Sequence, residues 1–207
     1  MAQLSSTTES PVDVDVLRKE IQKTYTEVSG QPGQDFIFPT GRSWAEELGY
    51  PEPELSNVPD ASVESFAGVA NPHMLGRIEE GAVVLDLGCG AGTDLLIAAQ
   101  MVGPAGHVIG VDMTPAMLRV AAASAREMGV RDRVELHEAL IESLPLCDAE
   151  VDVVISNGVL DLVPDKDVVC AEIDRVLKPG GRLQIADVVI HTAVSEDARK
   201  RIELWTG

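Results

Sequence analysis

Cysteine and basic residues are scarce in this chain of 207 residues. The three cysteines, Cys89, Cys147 and Cys170, are widely spaced and odd in number, which argues against a disulfide framework and predicts reduced thiols. No stretch approaches the roughly 20 consecutive apolar residues of a membrane span. The N-terminus has neither a basic start nor an apolar core for secretion, so we expect a cytoplasmic protein.

Acidic residues far outnumber basic ones. The chain has 34 aspartates and glutamates against 16 lysines and arginines, a formal net charge of -18 at pH 7. Such a chain repels nucleic acid phosphates and anionic lipid surfaces, so we expect neither nucleic acid nor a membrane as a partner. Because hydrophobic residues make up 45% of the sequence, the chain can bury one substantial core. Small molecules remain as the expected partners.

A glycine-rich turn between an apolar strand and a helical pattern is the most informative segment. The strand, residues 84–87, runs into Gly88, Gly90 and Gly92, which remove side chains where backbone must turn tightly and approach a ligand. The spacing is G-x-G-x-G rather than the G-x-G-x-x-G that seats a pyrophosphate at a helix N-terminus. Asp86 also places a negative charge where phosphates would otherwise approach. The turn therefore predicts a cationic cofactor that lacks phosphate.

A second acidic residue completes this predicted site. Residues 106–112 are typical of a strand ending at Asp112, about 20 residues beyond the last glycine, where a carboxylate can accept hydrogen bonds from both ribose hydroxyls. Thr114 and Pro115 follow as a helix start, which places Asp112 at the C-terminal end of its strand. Met113 would then lie beside the adenine. A tight strand-to-helix connection without a ligand is the alternative, but the second acid and its spacing favour a cofactor.

From residue 81 onward the chain alternates between strand and helix patterns. Strands are predicted near residues 82–88, 107–112, 133–138, 151–157 and 182–190. The first and fourth are continuous apolar runs, as a sheet covered on both faces requires. The helix before the last strand is expected to end at Pro179-Gly180-Gly181, with a sheet-facing stripe of Val169, Ile173, Val176 and Leu177. The predicted fold class is therefore α/β, with a doubly wound and mostly parallel sheet.

The N-terminal part divides into two predicted segments. Residues 1–12 are polar and turn-rich, which predicts disorder. Residues 13–80 are expected to form helices and loops, either as a lid that closes over the cofactor or as a plain packing segment. This segment begins with a helix over residues 13–29 whose apolar face comprises Val14, Leu17, Ile21, Tyr25 and Val28. Its other aromatic residues include Phe36, Phe38, Trp44 and Tyr50.

From about Leu48 onward, the sequence resembles the class I S-adenosylmethionine-dependent methyltransferases. The acid-preceded glycine turn and the second-strand acid carry this resemblance, and the lysine-proline-glycine-glycine turn at residues 178–181 is widespread in the class. More specific similarity to arsenite methyltransferase and its relatives lies at residues 111–115, 155–160, 164–166 and 175–183. The resemblance implies a Rossmann-like methyltransferase core over residues 81–207 and S-adenosylmethionine as the cofactor.

The same resemblance implies a set of cofactor-binding residues. Asp86 and the backbone from Gly88 to Gly90 would hold the methionine portion, with the carbonyl of Asn157 near its amine. Asp112 would hold the ribose. The adenine would lie against Met113, Leu140 and Ile141. The full expected set is Asp86, Gly88, Cys89, Gly90, Gly92, Asp112, Met113, Leu140, Ile141 and Asn157.

The resemblance weakens where the methyl acceptor would bind. Arsenite methyltransferases hold trivalent arsenic through thiolates, the soft ligands that such an ion requires, and two of those positions are Val69 and Gly158 in this chain. Cys147 is expected in a loop and Cys170 on the sheet-facing side of a helix, so neither replaces the missing thiols. His73 is a candidate base near the lid, although a lone histidine is more often structural. No metal site is expected, because no ligand spacing links His73, His107, His137 and His191.

The end of the chain suggests a shortened core. The family fold is usually completed by two further strands, and none is predicted after a helix over residues 195–205. The last strand would then leave an uncovered edge, bordered by the apolar residues Leu183, Ile185, Val188 and Val189, through which two chains could form a homodimer. The alternative is a minimal sheet whose edge the N-terminal segment covers.

Two functions follow from these observations. The first is an arsenite-methyltransferase-like S-adenosylmethionine-dependent methyltransferase that acts on a small-molecule acceptor of undefined identity, with no catalytic residue assigned. The alternative is an S-adenosylmethionine-binding module without turnover, which the absent thiols and final strands would favour. Arsenite methylation itself is a third and less favoured outcome.

Overall fold

A computed structural model describes residues 12–205, apart from the side chains of Glu196 and Glu203. Its strands are β1 (Val83–Leu87), β2 (His107–Asp112), β3 (Val134–Glu138), β4 (Val151–Asn157) and β5 (Leu177–Ala186). All of them pair in parallel in one sheet, in the order β3-β2-β1-β4-β5. The predicted α/β class with a parallel sheet is confirmed. Of the segment predicted to be disordered, residues 1–11 lie outside the described part, and Val12 is buried.

Helices cover both faces of this sheet. They are α1 (Val14–Gly30), α2 (Gly41–Glu47), α3 (Glu52–Leu55), α4 (Asp60–Glu64), α5 (Thr93–Met101), α6 (Pro115–Glu127), α7 (Lys166–Val176) and α8 (Glu196–Arg199). Successive strand residues point to opposite faces. On one face Val84 and Val108 join a core with α5 and residues of α2 to α4, and on the other Leu85 and Ile109 join a core with α7. The apolar strands are therefore buried on both sides.

The N-terminal helix α1 is present as predicted, and it begins at a side-chain cap. The carboxylate of Asp13 accepts hydrogen bonds from the backbone N–H groups of Asp15 and Val16, at 3.0 and 3.1 Å. The helix packs on α6 through part of the predicted apolar face, with Leu17, Ile21 and Val28 buried. Its position on α6 brings it over the C-terminal ends of the strands.

Residues 41–66 pack into the main core. Tyr50, Leu55 and Val63 are buried in the same cluster as the apolar side chains of α5. The rings of Tyr50 and Phe66 meet edge to face, with centroids 5.2 Å apart. This part of the segment is a fixed wall beside the sheet, while the lid role expected for residues 13–80 stays a prediction.

The last strand differs from its predicted position. β5 begins at Leu177 instead of residue 182 and ends at Ala186 instead of residue 190, and α7 ends at Val176, before the Pro179-Gly180-Gly181 turn. The turn lies inside an irregular start of β5, where the register against β4 shifts and Gly180 adopts a φ of +83°. Sequence periodicity missed this arrangement because a bulge disrupts the two-residue alternation of a strand.

The outer side of β5 carries no paired strand within residues 12–205. Leu183 is 44% exposed, and Val188 and Val189, which lie beyond the strand, are 54% and 71% exposed. The N-terminal segment reaches only part of β5, where the Gln184 side chain donates to the carbonyl of Gly76 at 2.8 Å. An apolar surface therefore lies at this edge of the sheet.

The end of the described chain is less regular than predicted. The helix expected over residues 195–205 is divided into α8 and a separate 3-10 turn, Ile202–Leu204. Across residues 12–205, no helix has both the length and the apolar character needed to cross a membrane.

Candidate cofactor site

A pocket opens at the C-terminal ends of β1, β2 and β4, where parallel sheets commonly bind ligands. Nine of the ten sequence-predicted residues line it: Asp86, Gly88, Cys89, Gly90, Asp112, Met113, Leu140, Ile141 and Asn157. Gly92 stands apart, because it caps α5 with a φ of +93° and an added Cβ would lie 3.0 Å from the Cβ of Ala121. Its conformation and this close contact suit helix packing, and its role in cofactor binding stays a prediction. The topology thus brings together residues that are up to 71 positions apart in the sequence.

Three backbone N–H groups of the glycine turn already have hydrogen-bond partners within the protein. The N–H groups of Gly88 and Cys89 both donate to the carbonyl of Val111, at 2.8 and 3.0 Å. The N–H of Gly90 donates to Oδ2 of Asp112 at 2.9 Å. A phosphate site needs such N–H groups pointing at the ligand. Their use inside the protein agrees with the expectation of a cofactor that lacks phosphate.

Gly88 and Gly90 avoid side chains for different reasons. A Cβ on Gly88 would lie 2.5 Å from Val159 Cγ2, so the protein itself fills that space. A Cβ on Gly90 would meet no heavy atom within 4 Å, although Gly90 lines the pocket. The open space at Gly90 is therefore available to a ligand that lies close to the backbone.

Two carboxylates lie at this turn, and they differ in burial and in hydrogen bonding. Asp86 is 2% exposed, and its Oδ2 has no hydrogen-bond partner among the described atoms. Burial raises the pKa of Asp86 well above its usual value, and the charges of Asp94 and Asp112 raise it further. Asp112 accepts hydrogen bonds from the N–H groups of Thr114 and Gly90, while burial raises its pKa. A cationic ligand would stabilise both carboxylates.

Helix α1 forms one wall of the pocket. Its residues Leu17, Arg18, Ile21 and Tyr25 line the cavity. The Gln22 side chain donates to the backbone carbonyl of Met113 at 2.6 Å, and Arg18 pairs with Glu142 at 3.0 Å. Both contacts fall beside residues expected to hold the adenine. The helix therefore covers the adenosine side of the predicted site.

Sequence reasoning missed a polar cluster behind the pocket. Asp94 lines the pocket in the first turn of α5, and its carboxylate accepts hydrogen bonds from the hydroxyl of Tyr50 at 2.6 Å and the amide of Asn157 at 3.0 Å. His73 is buried with Nε2 3.1 Å from Asp94 Oδ1. An acid in the first turn of a helix is ordinary, so its position gave no signal of a binding role.

The side chain of Asn157 holds the adjacent loop rather than extending into open space. Its Oδ1 accepts from the N–H groups of Val69 and Ala70, at 2.8 and 3.3 Å, and its Nδ2 donates to the Ala70 carbonyl at 2.7 Å. A Cβ on Gly68 would lie 2.3 Å from this Nδ2, which explains the glycine there. The loop of residues 68–70 is thus fixed against the end of β4.

Val69 and Gly158, the two positions where the resemblance would place thiols, lie close together in the structure. A Cβ added at Gly158 would be 3.2 Å from Val69 Cγ1, an apolar contact. Cys89 is buried against Gly110, and burial raises the pKa of its thiol well above the usual value. Cys147 is exposed. None of these thiols lies at the positions of Val69 and Gly158.

Cys170 does not face the sheet, which corrects the sequence-based expectation. It is exposed, whereas the buried stripe of α7 consists of Val169, Ile173 and Val176. A residue that directly follows a buried one is turned by about 100° around the helix, so Cys170 lies outside the stripe.

His73 lies behind the pocket, against the lining residue Asp94. His107 and His137 instead both lie beside Glu135, at 3.3 and 2.7 Å, on β2 and β3. Within residues 12–205, no three His, Cys, Asp or Glu side chains are arranged to hold a metal ion. The pocket is therefore characterised by carboxylates and an apolar wall.

With this geometry, the chain matches known proteins over most of its length. A family model described as a methyltransferase domain covers residues 78–206. The chain is 42% identical to an arsenite methyltransferase of Halobacterium salinarum, over 81% of this chain and 42% of that protein. It is 37% identical to a demethylmenaquinone methyltransferase of Lactobacillus johnsonii, over 54% of this chain and 46% of that protein.

A solved structure supports the same assignment. The chain aligns with CrArsM, an arsenic(III) S-adenosylmethionine methyltransferase from Chlamydomonas reinhardtii, with a TM-score of 0.61 and 41% identity over 67% of this chain and 50% of that one. The chain belongs to the methyltransferase domain family, which confirms the class predicted from the sequence, with S-adenosylmethionine as its cofactor. It spans less than half the length of the two curated relatives named above.

Proposed function

We propose that this chain binds S-adenosylmethionine in the pocket and transfers its methyl group to a small-molecule acceptor. The observation that carries the proposal is the buried Asp86 carboxylate, whose Oδ2 has no partner within the described residues, beside a turn whose Gly88, Cys89 and Gly90 N–H groups are already bonded within the protein. This combination fits a ligand with a positive ammonium and sulfonium and no phosphate. The residues present therefore fit the cofactor.

Each part of the pocket has a proposed role. Asp86 and the turn around Gly90 would hold the methionine end. Asp112 would accept hydrogen bonds from the ribose hydroxyls through the lone pairs that are not used by its hydrogen bonds to backbone N–H groups. Leu140 and Ile141 would cover the adenine with Met113. When bound, the sulfonium supplies an electrophilic methyl carbon. The acceptor's lone pair forms the new bond to this carbon, and the electrons of the broken carbon–sulfur bond remain on sulfur. The protein's contribution is to position the acceptor and exclude water.

The acceptor is proposed to be held by apolar contacts rather than by thiolates. Val69 and Gly158 lie close together and neither carries a thiol, and the adjacent wall of the pocket contains Phe66 and Val159. Soft metalloid ions need thiolate ligands, so this surface favours an organic acceptor over arsenite. The same lack of thiols supports the second candidate, a cofactor-binding module without turnover.

Calorimetric titration tests the binding proposal. We expect S-adenosylmethionine to bind the wild-type chain and Asp112→Ala to weaken binding by tenfold or more, that is by about 1.4 kcal/mol or more. Circular dichroism verifies that the variant is folded, and Asp167→Ala, an exposed acid in the first turn of α7, is the matched control. Equal affinities for folded Asp112→Ala and wild type would refute the assignment.

Turnover assays separate the two candidates. Formation of S-adenosylhomocysteine with a panel of small nucleophiles, including arsenite, would identify a methyltransferase and its acceptor class. Binding without product from any acceptor would favour the binding module. Stimulation by arsenite alone would contradict the proposal of an organic acceptor.

We also propose that the apolar surface beside β5 mediates self-association. Leu183, Val188, Val189 and Ile190 are all substantially exposed there, and an unpaired parallel edge can accept another chain. The cytoplasmic location and the lid role of residues 13–80 stay predictions.

A further inference from the structure

Helix α1 presents two long polar side chains from the face that lies over the strand ends. Arg18 and Gln22 are four residues apart, so they are neighbours on one side of the helix. They stand beside the apolar row of Leu17, Ile21 and Tyr25, which lines the pocket. The polar row therefore borders the pocket along the same helix.

The two polar side chains contact different segments of the sheet. The guanidinium of Arg18 donates through Nη2 to Oε1 of Glu142 at 3.0 Å, in the segment that follows β3. The side chain of Gln22 donates through Nε2 to the backbone carbonyl of Met113 at 2.6 Å, directly after β2. Helix α1 thus connects the two segments through neighbouring residues.

The sheet itself stops holding these segments together just before the two contacts. The last paired residues of β2 and β3 are Asp112 and Glu138, and the N–H of Ala139 donates to the Asp112 carbonyl at 3.2 Å. Among the residues that the structure describes, no later backbone hydrogen bond joins the segment after β2 to the segment after β3. Beyond the sheet, their separation is therefore set by side-chain contacts and packing.

The ion pair of Arg18 with Glu142 is better sheltered than the other acidic contact of Arg18. The side chains of Arg18 and Glu142 are 32% and 18% exposed. Asp15 lies 3.8 Å from the same guanidinium, but its side chain is 84% exposed. Solvent and salt screen an exposed pair more strongly than a partly buried one. Glu142 is therefore the stronger partner, and its contact reaches across to the pocket.

We propose that Arg18 and Gln22 are positioning residues that brace the adenine end of the cofactor site. This inference rests on the proposed function, in which the adenine lies against Met113, Leu140 and Ile141. One helix face holds both the segment that contains Met113 and the segment that contains the other two residues. A site whose walls are already in place loses less conformational freedom when the ligand binds, so the brace increases affinity for the cofactor.

Calorimetric titration with S-adenosylmethionine tests the brace through a double-mutant cycle. Arg18→Gln and Glu142→Gln should each weaken binding by roughly twofold to fivefold, as for one partly exposed ion pair. The double variant should bind no more weakly than the weaker single variant, because both changes remove the same contact. Exchange of the charges, Arg18→Glu with Glu142→Arg, should bind more tightly than either charge reversal alone, because only the single reversals leave two like charges together.

Hydrogen exchange followed by mass spectrometry tests the brace without any ligand. In Arg18→Gln combined with Gln22→Ala, the backbone N–H groups of residues 113–117 and 139–144 should exchange about twofold faster or more than in wild type. Lys23→Gln is the matched control, because it breaks a pair with Glu20 at 3.9 Å on the exposed side of α1. It should change neither the exchange rates nor the affinity. Circular dichroism verifies that each variant is folded.

The possible outcomes separate the brace from a direct contact with the cofactor. Weaker binding in Glu142→Gln but not in Arg18→Gln would make Glu142 a ligand of the cofactor and overturn the inference. Unchanged exchange in both segments, or the same acceleration in Lys23→Gln, would also overturn it. If the wild type did not bind S-adenosylmethionine, the proposed function would fail, while hydrogen exchange would still report whether α1 holds the two segments.

Discussion

The carboxyl pair Asp161 and Asp187 should make folding stability depend on pH in an unusual direction. The pKa of Asp161 rises from 3.8 to about 6, first because the group is partly buried and then because of the charge and hydrogen bond of Asp187. A carboxyl with a raised pKa binds its proton more tightly in the folded state. The contribution of this pair to the free energy of unfolding should therefore be fully present below about pH 4 and be lost as the pH rises through about 6.

The size of this effect follows from the pKa difference. About two pKa units at about 1.4 kcal/mol each give an upper limit of about 3 kcal/mol above pH 7, which solvent screening at a partly exposed site reduces to roughly 1–2 kcal/mol. In its protonated form, Asp161 shares its proton with Asp187 through a hydrogen bond. Asp161→Asn replaces this proton with an amide N–H that can donate to Asp187 at any pH. The variant should therefore be more stable than wild type at about pH 8, with a smaller gain at about pH 5.

Urea unfolding followed by circular dichroism at these two pH values measures the gain directly. Asp187 must be retained, because it also accepts hydrogen bonds from the N–H groups of Leu160 and Asp161, at 2.8 and 3.3 Å. Asp167→Asn serves as the control for removal of an exposed negative charge. A gain of the same size at both pH values, or a loss of stability at about pH 8, would refute the shared-proton explanation.

The glycine turn and the β5 edge give further predictions. Gly88→Ala should lower the free energy of unfolding by about 2–4 kcal/mol in urea titrations, because its Cβ would clash with Val159 at a φ of +66°. Gly90→Ala adds a Cβ in open space and should cost only about 1 kcal/mol of stability. It should nevertheless weaken S-adenosylmethionine binding at least tenfold by calorimetry. A larger loss of stability in Gly90→Ala than in Gly88→Ala would contradict the roles assigned to these two glycines. Val189→Lys should shift the sedimentation coefficient toward the monomer, whereas a wild-type chain that is already monomeric would exclude self-association through β5.

The parts of the fold set by local pattern were predictable from the sequence. Continuous apolar runs identify buried strands such as β1 and β4, and the spacing from Gly92 to Asp112 identifies β2 as the second strand of the predicted cofactor site. The start of β5 was not predictable, because the bulge at Gly180 leaves no regular alternation. Local patterns therefore identify regular elements but not the irregular residues that join them.

The cluster around Asp94 was beyond sequence reasoning for a different reason. Tyr50 and His73 precede the methyltransferase core and are 44 and 21 positions from Asp94, so only the packing of the N-terminal segment brings them together. The sequence places His73 near the predicted lid, but not against a carboxylate. Contacts between segments with no fixed spacing depend on the tertiary fold.

We expect the charge selectivity of the pocket to depend on the backbone of the glycine turn as well as on the acidic residues. Val111 and Asp112, at the end of β2, take up the N–H groups of Gly88, Cys89 and Gly90. Because these three donors are already bonded, they are not free to attract an anion. The acids beside the turn are then expected to determine the sign of the ligand's charge. Asp112 thus acts twice, as a proposed ribose ligand and as the group that orients the turn, so its loss should impair binding at both ends of the cofactor.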